Sequence, residues 1–90
     1  MRVVWSPQAI DDLLSVRQYI ERDNPRAAGR VAAAIVSFVE RQLTRFPRSG
    51  REGRVAGTRE LIVPKLPFVV PYRLIENRIE IVRVYHTSRS

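Results

Sequence analysis

The sequence predicts an α+β domain of order β-α-α-β-β-β, with an antiparallel helical hairpin packed on one face of a mainly antiparallel sheet. Three observations predict it. Ser6-Pro7 and Asn24-Pro25 are both helix-start signals, and each precedes apolar residues spaced three and four apart. Only two or three residues separate the two helical stretches, which forces them antiparallel. Beyond residue 54 the apolar spacing changes to two, the period of a strand.

The elements follow in order. RVVW, Arg2–Trp5, reads as a short strand. Ser6 then offers a side-chain oxygen to a free helix N–H, and Pro7 has no N–H to leave unpaired, so a helix is expected over 7–22. Asp11 and Asp12 fall early in it, where the helix dipole favours negative charge. Ala9, Leu13, Val16 and Ile20 form its apolar stripe, widened by Ile10 and Leu14. The second helix is expected over 25–46. Ala28, Val31, Ile35, Phe38 and Gln42 form one row, with Val39, Leu43 and Phe46 beside it. Pro47 disfavours a helical Phe46 and ends the helix. Trp5, Phe38, Phe46, Phe68 and Tyr72 read as core.

PRSGREGR, residues 47–54, has no apolar side chain and reads as a basic loop. A three-stranded antiparallel part is expected over 55–86, with strands at Arg59–Val63, Phe68–Ile75 and Ile79–Tyr85, and a tail at 87–90. A Glu76-Asn77 turn, with Asn77 taking a positive φ, sets the last hairpin. Ile75 then faces Arg78, Leu74 faces Ile79, Arg73 faces Glu80 and Tyr72 faces Ile81. One face holds Phe68, Val70, Tyr72, Leu74, Ile79, Ile81, Arg83 and Tyr85, and should take the helices. The other holds Val69, Pro71, Arg73, Glu80, Val82, Val84 and His86. Pro71 cannot donate to a ladder and needs an edge or a bulge, and a bulge would flip the faces beyond it. No repeat or second core appears, so residues 1–90 read as a single domain.

Composition excludes several functions. Without cysteine there is no disulfide and no thiolate metal site, and a single histidine makes zinc chemistry unsupported. No metal or cofactor is expected. No apolar run approaches the ~20 residues of a membrane span. The N-terminus reads as a strand and a helix start rather than a signal peptide, so a cytoplasmic protein is expected. The net charge is +7. Residues 1–46 carry seven Arg against five acids, while residues 47–90 carry eight Arg and one Lys against four. Such a field attracts nucleic acid or an acidic protein. A GC-rich genome, which inflates Arg and Ala together, explains the composition equally well.

The residue types for metal-free RNA cleavage are present. That reaction needs a base, an acid and cations for the charged intermediate. His86 and Tyr85 with Arg73, Arg83, Arg59 or Arg89 supply them. A structural reading stands beside each: His86 as a strand-end residue, Arg73 as a cross-strand partner of Glu80, and Glu60 as a neutraliser of Arg59. Arg48, Arg51 and Arg54 have the charge for a phosphate-facing loop but lack the Walker spacing.

The stretch GTRELIVPKLPFVVPYRLIENRIEIVRVYH resembles the C-terminal half of the RelE/ParE toxin superfamily. The Trp-Ser-Pro-x-Ala start, the Asn-Pro between helices and the Phe-Pro-x-x-Gly after them match as well. The resemblance spans nearly the whole chain. It implies a toxin of a bacterial type II toxin–antitoxin module, arresting growth unless bound by its antitoxin. The expected antitoxin carries an acidic segment that folds on the toxin. The target is either DNA gyrase, as for ParE-like members, or mRNA on the ribosome, as for RelE-like endonucleases. The stretches around ELIVP and PFVVP, where RelE-like nucleases carry Lys or Arg, are apolar apart from Lys65 and the early Arg59 and Glu60, and the long hairpin resembles ParE. The reading therefore leans to gyrase, with mRNA cleavage as the alternative and a non-toxic nucleic-acid-binding module as a third option. Expected binding residues are Arg48, Arg51, Arg54, Arg59, Lys65, Arg73, Arg83 and Arg89. If the chain is a nuclease, His86, Tyr85, Arg83 and Arg73 are the candidate catalytic residues.

Overall fold

The computed structural model describes residues 1–88. Strand β1 (Arg2–Trp5) is followed by helices α1 (Pro7–Glu21) and α2 (Pro25–Arg45), then by β2 (Arg51–Glu52), β3 (Arg59–Ile62), β4 (Phe68–Ile75), β5 (Arg78–Ile81) and β6 (Tyr85–His86). The sheet order is β1-β5-β4-β3-β2, with β6 continuing along β4. All pairs are antiparallel except β1 with β5, where Arg2 lies beside Arg78 and Trp5 beside Ile81. This is the expected α+β class. The two-residue strand β2 is an addition inside the stretch read as a basic loop, and the single strand expected over Ile79–Tyr85 is split into β5 and β6. Among the described residues no helix is long and apolar enough to cross a membrane.

Ser6 both starts α1 and anchors it to the sheet. Its Oγ accepts from Ala9 N at 3.0 Å and donates to Val82 O at 2.8 Å, while its N–H donates to Ile81 O at 3.0 Å. Asn24 caps α2 in the same way, accepting from Ala27 N at 3.1 Å. The helices contribute Ala9, Ala28, Ile35, Val39 and Leu43 to the core. The sheet contributes Leu61, Val63, Phe68, Val70, Tyr72, Ile79, Ile81 and Val84. Burying each large side chain stabilises the fold by roughly 1.5–3 kcal/mol before entropy is counted.

Some residues read as core lie outside it. Ile10 and Leu14 are about half exposed, while Ala9, Leu13 and Val16 are the α1 side chains that join the core. Phe46 is also half exposed. It caps α2 with a non-helical backbone, and its ring meets the Arg45 guanidinium at 5.9 Å rather than the sheet. The hairpin turn takes its positive φ at Glu76 (53°) rather than at Asn77.

The β4–β5 register is the expected one, including Arg73 opposite Glu80 and Tyr72 opposite Ile81. It changes beyond Ile81. Tyr85 faces Val69 and His86 faces Phe68. Three steps along β4, from Tyr72 to Val69, therefore answer four steps from Ile81 to Tyr85. The extra residue is a bulge beside Pro71, whose carbonyl accepts from Val82 N at 2.9 Å and whose nitrogen has no hydrogen to return. Faces reverse beyond it. Val84 turns into the core, His86 stacks edge-on against the core residue Phe68 at 5.4 Å, and Tyr85 joins Val69 on the open face.

The chain leaving α2 is tied down by Tyr72. The buried Tyr72 hydroxyl donates to Pro47 O at 2.8 Å and accepts from Gly50 N at 2.9 Å. A Cβ on residue 50 would lie 2.6 Å from the Tyr72 ring, so glycine is required there. Burial raises the Tyr72 pKa, keeping the hydroxyl a donor. Tyr72→Phe leaves a buried N–H and a C=O unpaired and is expected to cost about 1–3 kcal/mol. A urea-unfolding midpoint unchanged from the parent would refute this role for the hydroxyl.

Candidate functional site

The helices cover one face of the sheet, and the chemistry gathers on the other. The β2–β3 register sets Arg51 opposite Glu60. Gly53 N donates to Thr58 O at 2.8 Å, closing the connecting loop so that Arg54 folds back over β3. Glu60, only 5% exposed, is the hub. Its Oε1 accepts from Arg51 Nη2 at 3.1 Å, and its Oε2 accepts from Arg54 N at 3.1 Å and Arg54 Nε at 3.4 Å. The Arg54 main-chain N–H, aided by both guanidinium groups and opposed by burial, holds the Glu60 carboxyl below the usual range. Both arginine side chains stay more than half exposed while their inner nitrogens are held.

A second cluster grips the bulge. Asp12 of α1 accepts from Arg83 Nε at 2.8 Å, from Arg83 Nη2 at 3.1 Å and from Val84 N at 2.9 Å. The aspartate therefore satisfies the backbone group that the bulge turns away from β4. The side-chain bond to Asp12 raises the Arg83 pKa, and the guanidinium lies 5.1 Å from the Tyr85 ring centroid. Arg73 pairs with Glu80 across the β4–β5 hairpin.

These groups frame two adjoining clefts. One, of about 410 Å³, lies between Arg54, Glu60, Pro71, Arg73, Arg83 and Tyr85. The other, of about 310 Å³, lies between Arg51, Arg54, Val69, Tyr85, His86 and Thr87. They share Arg54, Glu60 and Tyr85 and form one trough across the open face. Behind Tyr85 and His86 an apolar groove of about 430 Å³ runs between α1 and the start of β4, lined by Val16, Tyr19, Ile20, Phe68 and Val84. The His86 Nδ1 accepts from Ser88 N at 3.2 Å and contacts Ser88 Oγ at 2.7 Å. In the neutral ring the proton therefore sits on Nε2.

The trough brings together Arg51, Arg54, Arg73, Arg83, Tyr85 and His86. It does not include Arg48 and Arg59, which meet in a separate cleft beside β2, where Arg59 Nη1 donates to Arg48 O and Gly50 O. Lys65 stands exposed in the β3–β4 turn with a positive φ of 64°. Arg89 lies outside the described residues. Two organising carboxylates were missed by sequence reasoning. Glu60 engages Arg51 and Arg54 rather than its neighbour Arg59, through a register that only the two-residue β2 creates. Asp12 reads as a helix-dipole residue in sequence, yet it lies beyond the first turn and reaches a strand 71 residues away.

A family model described as "ParE toxin of type II toxin-antitoxin system, parDE" matches residues 3–90. Y4kP of Sinorhizobium fredii is 42% identical over 88 residues, covering 98% of this chain and 90% of its own length. Toxin RelE2 of Caulobacter vibrioides is 35% identical over 88 residues, covering 98% and 97%. Among solved structures, a chain of the chromosomal ParDE system from P. aeruginosa superposes with a TM-score of 0.90 at 27% identity, covering 96% of this chain and 95% of that one.

Two expectations follow from the carboxylates. Asp12→Ala leaves both Arg83 and Val84 N without their partner, whereas Arg83→Ala leaves Val84 N satisfied. Denaturant titration should give the aspartate variant the larger loss, about 1–3 kcal/mol; equal losses would mean that the backbone contact contributes nothing. The lowered folded pKa of Glu60 contributes stability above its unfolded value of roughly 4.3, and that contribution disappears as pH falls through the folded value. Midpoints measured between neutral pH and about pH 3 should therefore fall less steeply in Glu60→Gln than in the parent.

Proposed function

The chain belongs to the ParE family, toxins of type II toxin–antitoxin systems, and from this premise we propose that it acts by poisoning DNA gyrase rather than by cutting mRNA. The observation that carries this reading is the surroundings of His86. Its Nδ1 is occupied by the Ser88 main chain, and its ring meets Phe68. The residues opposite β6 at the head of β4 are Phe68 and Val69, which offer no charge to a pentavalent intermediate. Arg73 and Arg83 are paired with Glu80 and Asp12, and Glu60 is bound by two arginines rather than free as a base. Cleavage requires an acid, a base and cations converging on one phosphodiester, within hydrogen-bond reach.

As the toxin of such a module, the protein has an antitoxin as its partner. We propose that the bound part of that antitoxin is acidic and folds on the toxin. A +7 chain favours a negative partner through faster association, and the apolar groove behind β6 supplies area to bury. mRNA cleavage remains the second reading, because His86, Thr87, Arg51 and Arg54 line one cleft.

Inducible expression without antitoxin separates the two. Gyrase poisoning predicts growth arrest with an induced DNA-damage response and altered plasmid topology, intact transcripts by primer extension, and arrest retained in His86→Ala. New mRNA 5′ ends that vanish in His86→Ala would instead establish the nuclease.

A further inference from the structure

We propose that the C-terminal end of α2 is the surface through which this toxin holds its protein target, with Phe46 as the apolar anchor and Arg41 and Arg45 as the contacts to acidic side chains of the partner. The proposal rests on DNA gyrase being the target.

Three observations carry it. The first is an aromatic ring that the fold does not use. Pro47 ends the helix, and the Phe46 N–H completes the cap by donating to Gln42 O at 2.8 Å. Neither needs a ring at residue 46. The ring stays 55% exposed, with the Arg45 guanidinium 5.9 Å from its centroid. The second is that this ring is not isolated. With Phe38, Arg41, Thr44 and Arg45 it borders an open cleft of about 650 Å³. Aromatic rings and arginines are the side chains enriched at the buried centre of protein interfaces. The third is charge. Among the described residues Arg41 and Arg45 pair with no carboxylate, unlike Arg51, Arg54, Arg73 and Arg83. The one acid lining the cleft is Glu40, which accepts from the Trp5 indole N–H at 3.4 Å. The helix dipole offsets a further charge of about one half at this end, so the balance stays positive. The dipole favours Arg45 in the last turn, but it does not call for a phenylalanine beside it. The complementary occupant is an acidic protein surface that offers an apolar side chain to the ring.

This end of α2 is separate from the groove assigned to the antitoxin. That groove includes Val31, which lies about 22 Å along the helix from Phe46.

The test is biolayer interferometry of the purified full chain against purified DNA gyrase and, separately, against the antitoxin encoded beside it. Phe46→Ala and Arg41→Ala/Arg45→Ala should each weaken gyrase binding roughly tenfold or more while leaving antitoxin affinity within about twofold. Arg26→Ala/Arg30→Ala removes two exposed charges from the other end of α2 and should leave both affinities unchanged. An equal loss of gyrase binding in that control overturns the proposal in favour of a diffuse positive field. Gyrase binding that survives Phe46→Ala unchanged overturns the surface and leaves the gyrase reading standing. A parent chain that binds no gyrase overturns the gyrase reading, and the proposal falls with it. Loss of antitoxin affinity in a variant that keeps its unfolding midpoint gives this end of α2 to the antitoxin and also overturns the proposal. Should a variant fail to fold, hydrogen exchange of the unmutated chain with and without gyrase decides. Slowed exchange over residues 41–49 supports the surface, and slowing confined to the sheet refutes it.

Discussion

The Asp12 carboxylate decides what the C-terminal strand presents. A one-residue bulge changes the direction of every later side chain, and it leaves a backbone N–H pointing away from the ladder. Asp12 receives that N–H from Val84 and holds the Arg83 side chain beside it. Val84 can then enter the core and Tyr85 can face outward. Ser6, six residues before Asp12, secures the same segment at Ile81 and Val82. The first helix is thus a splint for the last strand. The trough, the apolar groove and the orientation of His86 all depend on the register it maintains.

Sequence reading goes as far as local rules reach. Ser6-Pro7 and Asn24-Pro25 mark helix starts through main-chain chemistry that acts within a few residues. The Glu76-Asn77 turn fixes the β4–β5 register as far as Ile81, because alternation of apolar residues agrees with it. Beyond Ile81 alternation points the wrong way. Arg83 and Tyr85 continue the apolar parity of Ile79 and Ile81, and only Pro71, on the neighbouring strand, hints at a break. The role of Asp12 depends on a contact across the fold, so no spacing in the chain announces it.

The arginines show the same division. Their abundance is plain in the composition, but composition does not distinguish a ligand from a structural partner. In the folded chain Arg73, Arg83, Arg51 and Arg54 all have carboxylate partners, yet the partners differ in what they leave over. One carboxylate per arginine gives neutrality. One buried carboxylate between two holds both guanidinium groups in place, with Glu52 lining the same cleft. The difference arises from β2, whose two residues carry no strand signal of their own and pair only because β3 is already in place.

The parallel pairing of β1 with β5 carries a consequence for synthesis. Arg2 sits beside Arg78, so the first strand made has no partner until almost the whole chain has been made. Ser6 likewise waits for Ile81 and Val82. The α1–α2 hairpin can form while translation continues, since its contacts are local, but the sheet that presents the trough closes only after the last strands leave the ribosome. A nascent chain therefore carries β1 without its sheet partner until β5 has emerged. A partner that recognises the finished sheet meets it only after that pairing has formed.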